Sequence, residues 1–216
     1  MRKRFLVFIG SWIVATLLSI RFVDRAASTW SHAVLHGMPE FDALTHLVDP
    51  LQAMAVIGLA VSGIAALIWD WRPGKGGLTL IAACLSVVIA VMLKDQLKYA
   101  FGRTWPETWI AHNPSWIANG AYGFHFFHGG EGWASFPSGH MTQISSVTAV
   151  LWWRIRRLRW VWATLALLVA IGLFGADYHF VGDMVAGAYL GVATAAGILV
   201  FVERAEAPNR GVVADR

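Results

Sequence analysis

Charged residues are scarce in this chain. Of its 216 residues, 14% are Asp, Glu, Lys or Arg and 57% are hydrophobic, whereas a soluble domain carries about 25% charged residues. This scarcity excludes a disordered chain and an ordinary water-soluble enzyme. The single cysteine, Cys84, has no partner for an internal disulfide, so cysteine usage does not indicate a redox compartment. The composition favours one domain, residues 1–216, that lies in a lipid bilayer.

Six segments contain no charged residue and are candidates for membrane helices, which need roughly 17–25 residues each. They are residues 5–20, 51–68, 78–93, 141–153, 160–176 and 184–202. The first follows a basic run, as in a signal peptide, but no small-residue cleavage site comes after it, which favours an uncleaved helix. Segment 141–153 carries several Ser, Thr and Gln side chains and is expected to lie inside the bundle. We predict an all-α fold, a six-helix transmembrane bundle.

The basic residues predict the orientation of the bundle. If the N-terminus is cytoplasmic, the inner segments carry twelve of the 17 Lys and Arg residues and the outer segments four, in agreement with the positive-inside rule. We therefore expect a multi-pass protein of the cell or inner membrane with both termini in the cytoplasm. The outer segment 21–50 is expected to hold one or two short interfacial helices.

Three polar runs, far apart in the sequence, fall on the predicted outer face. They are residues 98–106, 136–140 and 177–183. Lys98 and Arg103 are cations at the end of a helix that suit a phosphate group, although long basic side chains also reach toward lipid headgroups without binding a substrate. The shared face indicates one extracytoplasmic site.

The second and third runs supply further parts of such a site. Ser138 is a good helix N-cap, and Gly139 lets an anion approach the helix start, although a plain capped helix uses the same residues. His179 and Asp183 are four residues apart, so the carboxylate can orient the imidazole as a nucleophile, or the two can form an ordinary capping pair. His140 is a second histidine for proton transfer. Together these groups favour phosphoryl transfer.

A metal site is not evident in the sequence. His32 and His36 are four residues apart and share one helical face, but no third ligand stands at a usable spacing. We therefore expect no metal and no cofactor.

The three runs resemble the motifs of the type-2 phosphatidate phosphatases, a family related to the vanadium haloperoxidases. The family pattern is Lys-x6-Arg-Pro, then Pro-Ser-Gly-His, then Ser-Arg-x5-His-x3-Asp. Lys98, Pro106, the run 137–140, His179 and Asp183 match it in order and spacing. The resemblance covers about residues 51–202.

This resemblance implies a role for each matching residue. His179 is expected to attack phosphorus and form a phosphohistidine, supported by Asp183. His140 is expected to protonate the leaving alcohol, while Ser138 and Gly139 help to hold the phosphate oxygens. The family requires no metal.

Two family arginines are missing from their usual positions. Trp105 and Leu173 stand there. Fixed cations stabilise a transferring phosphoryl group, so Arg103 is expected to replace the first arginine, and Lys94, one turn before Lys98, to contribute a further charge.

The resulting expectation is a metal-independent phosphatase that hydrolyses a lipid phosphomonoester or diphosphate at the outer membrane face. Its partners are the lipid phosphate and the bilayer, with no nucleic acid. Two alternatives remain: a lipid phosphotransferase with the same histidine chemistry, and a non-catalytic protein that binds or transports lipid.

Overall fold

The computed structural model describes residues 2–109 and 112–206 of the chain. Arg210 and Arg216, counted above with the inner tail, lie outside the described residues. Nine α-helices lie within the described ranges: α1 (Arg2–Leu18), α2 (Asp24–Leu35), α3 (Pro39–Thr45), α4 (Asp49–Trp69), α5 (Lys75–Phe101), α6 (Trp116–Asn119), α7 (Gly139–Arg154), α8 (Arg159–Gly175) and α9 (Val181–Glu206). A short π-helix, Ser19–Val23, joins α1 to α2.

Five helical stretches in the described residues are long and apolar enough to cross a membrane. They are Phe5–Leu35, Pro39–Trp69, Lys75–Phe101, Arg156–Gly175 and Val181–Arg204. Large apolar side chains cover their outer surfaces, such as Val7 with 71% and Leu67 with 87% of the side chain exposed. A soluble monomer does not expose apolar surface on this scale, so these faces are suited to lipid.

Helix α7 accounts for the remaining predicted segment. It has 16 residues and is not among the five spans. By length and composition, five of the six predicted segments therefore qualify as membrane spans. It packs against α5, α8 and α9. Its Thr142, Ser146 and Thr148 are buried and donate hydrogen bonds to backbone carbonyls of α7 or its N-cap. The prediction that this polar segment packs inside the bundle is confirmed.

Helices α7 and α9 approach each other closely because glycines face the contact. A Cβ atom at Gly187 would lie 2.5 Å from the carbonyl oxygen of Ser138, and one at Gly191 would lie 2.5 Å from that of Thr142. Small residues at a helix contact allow backbones to meet in this way. The contact brings the N-termini of α7 and α9 together at one end of the bundle.

The segment between α1 and α4 forms helices, as the sequence predicted. Helix α3 packs on α8, where Gly172 and Gly175 leave room for it: a Cβ at Gly175 would lie 2.2 Å from the ring of Phe41. This packing places the turn between α3 and α4 beside the α8–α9 turn.

The long loop after α5 folds over the same end of the bundle. Gly102 ends α5 with a φ of +53°, and a Cβ there would lie 2.0 Å from the carbonyl oxygen of His125. A left-handed residue this close to backbone must be glycine. The turn directs the chain back toward the bundle, so that Arg103 becomes fully buried.

We predict that Gly191→Ala destabilises the protein, because the added methyl group meets backbone atoms of α7 that cannot move aside. Overpacking of this kind costs about 1–3 kcal/mol. Gly197→Ala is the matched control, since a Cβ there meets nothing within 4 Å. Labelling of the buried single cysteine, Cys84, with a fluorogenic thiol reagent during heating reports unfolding. Equal unfolding temperatures for the two variants would contradict the close contact.

Candidate active site

A polar cavity of about 390 Å³ lies at the end of the bundle where α5 ends and where α4, α7 and α9 begin. Residues from all three predicted runs line it, together with residues of the α3–α4 turn. The lining residues are Thr45, His46, Asp49, Lys94, Lys98, Trp105, Trp109, Gly139, His140, Gln143, Tyr178 and His179. The structure therefore brings Lys98, Gly139, His140 and His179 together, whereas Ser138, Arg103 and Asp183 are not among the lining residues.

His179 and Asp183 form a buried pair at the wall of this cavity. His179 lies in the turn before α9 and is 4% exposed, and Asp183 is fully buried in the first turn of α9. Nδ1 of His179 lies 3.6 Å from Oδ2 of Asp183. Burial lowers the pKa of His179, against the opposing effect of Asp183. The imidazole is therefore neutral at neutral pH, the form that a nucleophile requires.

Asp183 is held on all sides by hydrogen bonds. Its Oδ2 accepts from the hydroxyl of Ser135 at 2.6 Å and from the backbone N–H of Phe180 at 3.2 Å. Its Oδ1 forms an ion pair with the guanidinium of Arg103. A carboxylate fixed in this way can hold one orientation of the His179 ring.

Arg103 also pairs with a second buried carboxylate, Asp24. Nη2 of Arg103 lies 2.6 Å from Oδ2 of Asp24 and donates to the hydroxyl of Tyr122 at 3.0 Å. Burial disfavours the charge of Arg103, but Asp183 and Asp24 outweigh it and raise the pKa of the guanidinium. Arg103 is therefore a permanent cation between two carboxylates.

Asp24 connects this ion triad to the start of α9. Its Oδ1 accepts the backbone N–H of Gly182 at 2.7 Å, and the hydroxyl of Tyr122 donates to the carbonyl oxygen of Ile20 at 2.6 Å. The sequence reasoning missed Asp24, Tyr122 and Ser135. A carboxylate at the end of an apolar segment was the available signal for Asp24, because a charge at that depth requires a partner.

The position of Arg103 differs from its predicted role as a phosphate ligand. Its side chain is fully buried, it does not line the cavity, and its two terminal nitrogens contact Asp183 and Asp24. The physical reason is that a buried carboxylate without a cation is strongly destabilising, and Arg103 stands between two of them. Trp105, at the family arginine position, lines the cavity instead, with its ring centroid 5.1 Å from that of His179.

Leu173, at the second position where the family has an arginine, is part of the apolar core. Leu173 is fully buried and packs in a cluster with Val48, Met141 and Ile144. No cation stands at this position, so the positive charge of the cavity comes from elsewhere.

Two lysines supply that charge. Nζ of Lys98 donates to the carbonyl oxygen of Ala134 at 2.5 Å and lies 5.4 Å from the ring centroid of Trp105. Lys94 pairs with Asp95 and lies along Gly139, where a Cβ would come within 3.2 Å of its Cε. Gly139 thus leaves the space that lets a second lysine reach the cavity.

The start of α7 forms another side of the cavity. The hydroxyl of Ser138 accepts the backbone N–H of Met141 at 3.4 Å, as predicted for an N-cap, and the N–H of Ser138 donates to the carbonyl oxygen of Asp183 at 3.0 Å. His140 lines the cavity with its ring centroid 6.3 Å from that of His179. A helix N-terminus beside two lysines suits an anion.

Sequence motifs did not predict the opposite wall of the cavity. There, Nδ1 of His46 lies 2.7 Å from Oδ2 of Asp49, and the hydroxyl of Tyr178 donates to Asp42 at 2.9 Å. The packing of α3 on α8 brings these residues to the cavity, and no local spacing reveals that packing.

The long apolar helices are typical of a membrane protein. Its cavity, with two lysines and a histidine–carboxylate pair, is suited to a phosphorylated ligand. A sequence model of the PAP2 superfamily matches residues 79–207. The chain belongs to this superfamily, which confirms the family predicted from the motifs. Membership of this phosphatase family supports a lipid phosphate hydrolase.

Among solved structures, the chain is similar to the first transmembrane PAP2 type phosphatidylglycerolphosphate phosphatase from Bacillus subtilis. The two share 21% identity over 93% of this chain and 94% of that one, with a TM-score of 0.54. The likeness is one of fold, and it supports a multi-pass membrane protein. No curated protein matches the chain significantly.

We predict that Arg103→Met lowers stability far more than Arg21→Met, which removes an exposed charge. Removing one partner of a buried ion pair costs about 3–5 kcal/mol because the remaining carboxylates stay buried and uncompensated. Thermal unfolding in detergent measures the difference. A stable Arg103→Met variant with weakened phosphate affinity would instead place Arg103 at the substrate.

Proposed function

We propose that this protein is a phosphatase that hydrolyses a lipid phosphomonoester or diphosphate through a phosphohistidine at His179. The observation that carries the proposal is the His179–Asp183 pair, buried at the wall of a cavity that also holds two lysines and His140. The similar Bacillus subtilis protein is a phosphatidylglycerolphosphate phosphatase, which favours a phospholipid phosphomonoester as the first substrate to test.

In the first step, the free ring nitrogen of His179 attacks phosphorus, and the bond from phosphorus to the lipid oxygen breaks. His140 donates a proton to the departing oxygen. The carboxylate of Asp183, whose Oδ2 lies 3.6 Å from Nδ1 of His179, stabilises the positive charge of the phosphorylated ring. In the second step, His140 takes a proton from water, the resulting hydroxide attacks phosphorus, and His179 leaves with its electron pair.

Charge stabilisation in this scheme comes from the chain itself. Lys98, Lys94 and the start of α7 at Gly139 face the cavity and are placed to hold the equatorial oxygens of the phosphoryl group. The chemistry therefore proceeds without a metal at the phosphate.

An apolar groove of about 480 Å³ suits the hydrocarbon chain of the substrate. It runs along α1 and ends at Phe136 and Pro137, next to the N-cap of α7. Phe101, Phe124 and Phe126 line its other side. A mostly apolar groove with access from the bilayer accommodates an acyl or prenyl chain.

We further propose that α7 is a sixth span, that both termini are cytoplasmic, and that the cavity faces away from the cytoplasm. The positive-inside distribution of Lys and Arg supports this orientation. The inner turn between α7 and α8 alone carries Arg154, Arg156, Arg157 and Arg159.

We predict that His179→Ala abolishes phosphate release while His128→Ala, in the exposed outer loop, leaves it near the wild-type rate. The loss is expected to be at least about 10³-fold because no covalent intermediate can form. Phosphate release from phosphatidate, phosphatidylglycerol phosphate and a polyprenyl diphosphate is measured in detergent micelles. A rate unchanged by His179→Ala would exclude the nucleophile, and a new phospholipid in place of free phosphate would indicate a phosphotransferase.

We predict that a cysteine placed at Glu131 reacts with a membrane-impermeant maleimide in right-side-out vesicles, whereas one at Arg157 reacts only after permeabilisation. Both positions are exposed, so the comparison depends on the side of the membrane alone. The opposite labelling pattern would place the cavity on the cytoplasmic face.

A further inference from the structure

A second cluster of ligand-type side chains lies outside the cavity. His32 and His36 of α2 face Glu107 of the loop after α5, and one ligand atom from each residue lies within 4.8 Å of the others. The two imidazole rings are 4.4 Å apart between centroids. The third ligand escaped sequence reasoning because Glu107 is distant along the chain and only the fold brings it to α2.

The contact between His32 and Glu107 is close without being a hydrogen bond. Nδ1 of His32 lies 2.9 Å from Oε2 of Glu107, yet this buried nitrogen has no hydrogen-bond partner. Zinc binds nitrogen and carboxylate oxygen at about 2.0–2.2 Å, so two ligands of one ion lie about 3 Å apart. The 2.9 Å between Nδ1 of His32 and Oε2 of Glu107 therefore suits two atoms whose lone pairs point at one shared cation.

A buried carboxylate faces the same point from the interior. Asp177 is 2% exposed, and its Oδ1 accepts a hydrogen bond from the hydroxyl of Ser28 at 2.9 Å. Its Oδ2 has no partner and lies 3.9 Å from Nδ1 of His32. A buried, unpaired carboxylate oxygen is costly unless a cation occupies the neighbouring space.

The carboxylate of Glu107 is also oriented toward this point. Its Oε1 accepts the backbone N–H of Thr108 at 2.8 Å, which leaves Oε2 directed to His32. Hydrogen bonds of this kind to one oxygen fix the other oxygen as a metal ligand.

We propose that His32, His36 and Glu107 bind one Zn²⁺ ion, and that the buried carboxylate of Asp177 beside them adds negative charge at the site. Two imidazoles and carboxylates suit zinc rather than magnesium or calcium, which prefer oxygen ligands alone. His36 is exposed and gives the ion access from solvent. None of the four residues lines the phosphate cavity, so the ion takes no part in phosphoryl transfer.

The position of the site indicates a structural role. The ion joins α2 to the loop after α5 and lies beside the α8–α9 turn, in which Asp177 precedes His179 by two residues. On the same loop, Trp109 packs on Tyr178 with ring centroids 4.3 Å apart. Bound zinc would hold this turn, and with it His179, against the bundle.

The test is zinc content of the purified, tag-free protein in detergent after equilibration with Zn²⁺ and removal of free ion. We expect about one zinc per chain in the wild type and loss of most of it in His36→Ala and Glu107→Gln. The matched controls are His128→Ala and Glu131→Gln, which alter an exposed histidine and glutamate of the same outer loop. Both controls should retain the zinc.

A second readout is the unfolding temperature with and without Zn²⁺. It should rise with zinc in the wild type and in His179→Ala, but not in His36→Ala, whose exposed side chain is removed without disturbing the core. Because the His179→Ala arm needs no phosphatase activity, this result is separate from the proposed function. Absence of zinc from the wild type, or equal zinc in His36→Ala and His128→Ala, would overturn the proposal.

Discussion

The ion triad of Asp24, Arg103 and Asp183 is the interaction on which the rest of the site depends. Placing these groups in a water-free interior costs several kcal/mol for each ion, and that cost is offset only if all three stay paired. The triad therefore ties together three distant parts of the chain: the start of α2, the loop after α5 and the first turn of α9. Arg103 and Ser135 fix Asp183, and the Oδ2 atom of this carboxylate lies 3.6 Å from Nδ1 of His179.

The cavity carries fewer cations than its family pattern implies. Arg103 pairs with two buried carboxylates, Trp105 faces the cavity at one arginine position, and Leu173 is buried in the core at the other. Two lysines of α5, one turn apart, and the start of α7 supply the positive field. A lysine is a point charge without the planar fork of arginine, so under the proposed function recognition of the substrate would depend more on the lipid chain and the apolar groove.

Local sequence predicted the helices and the residues of the three polar runs that meet at the cavity, because apolar runs and short motifs consist of residues that are adjacent in the chain. It also predicted that α7 is interior, since hydroxyl-rich segments need partners in the bundle. It failed where a role depends on distant partners. The sequence could not place Asp24 beside Arg103, and Glu107 reaches His32 and His36 only through the fold.

Catalysis through a phosphohistidine at His179 is tested by mapping the site of phosphorylation in a rapidly quenched reaction. The enzyme is mixed with a labelled lipid phosphate, quenched in alkali, digested at neutral or alkaline pH, and its phosphopeptides are mapped by mass spectrometry. We expect an acid-labile phosphate on the peptide that contains His179, at a level that Asp183→Asn strongly reduces. Phosphate on a different residue, or full turnover with no phosphoenzyme at any quench time, would contradict it.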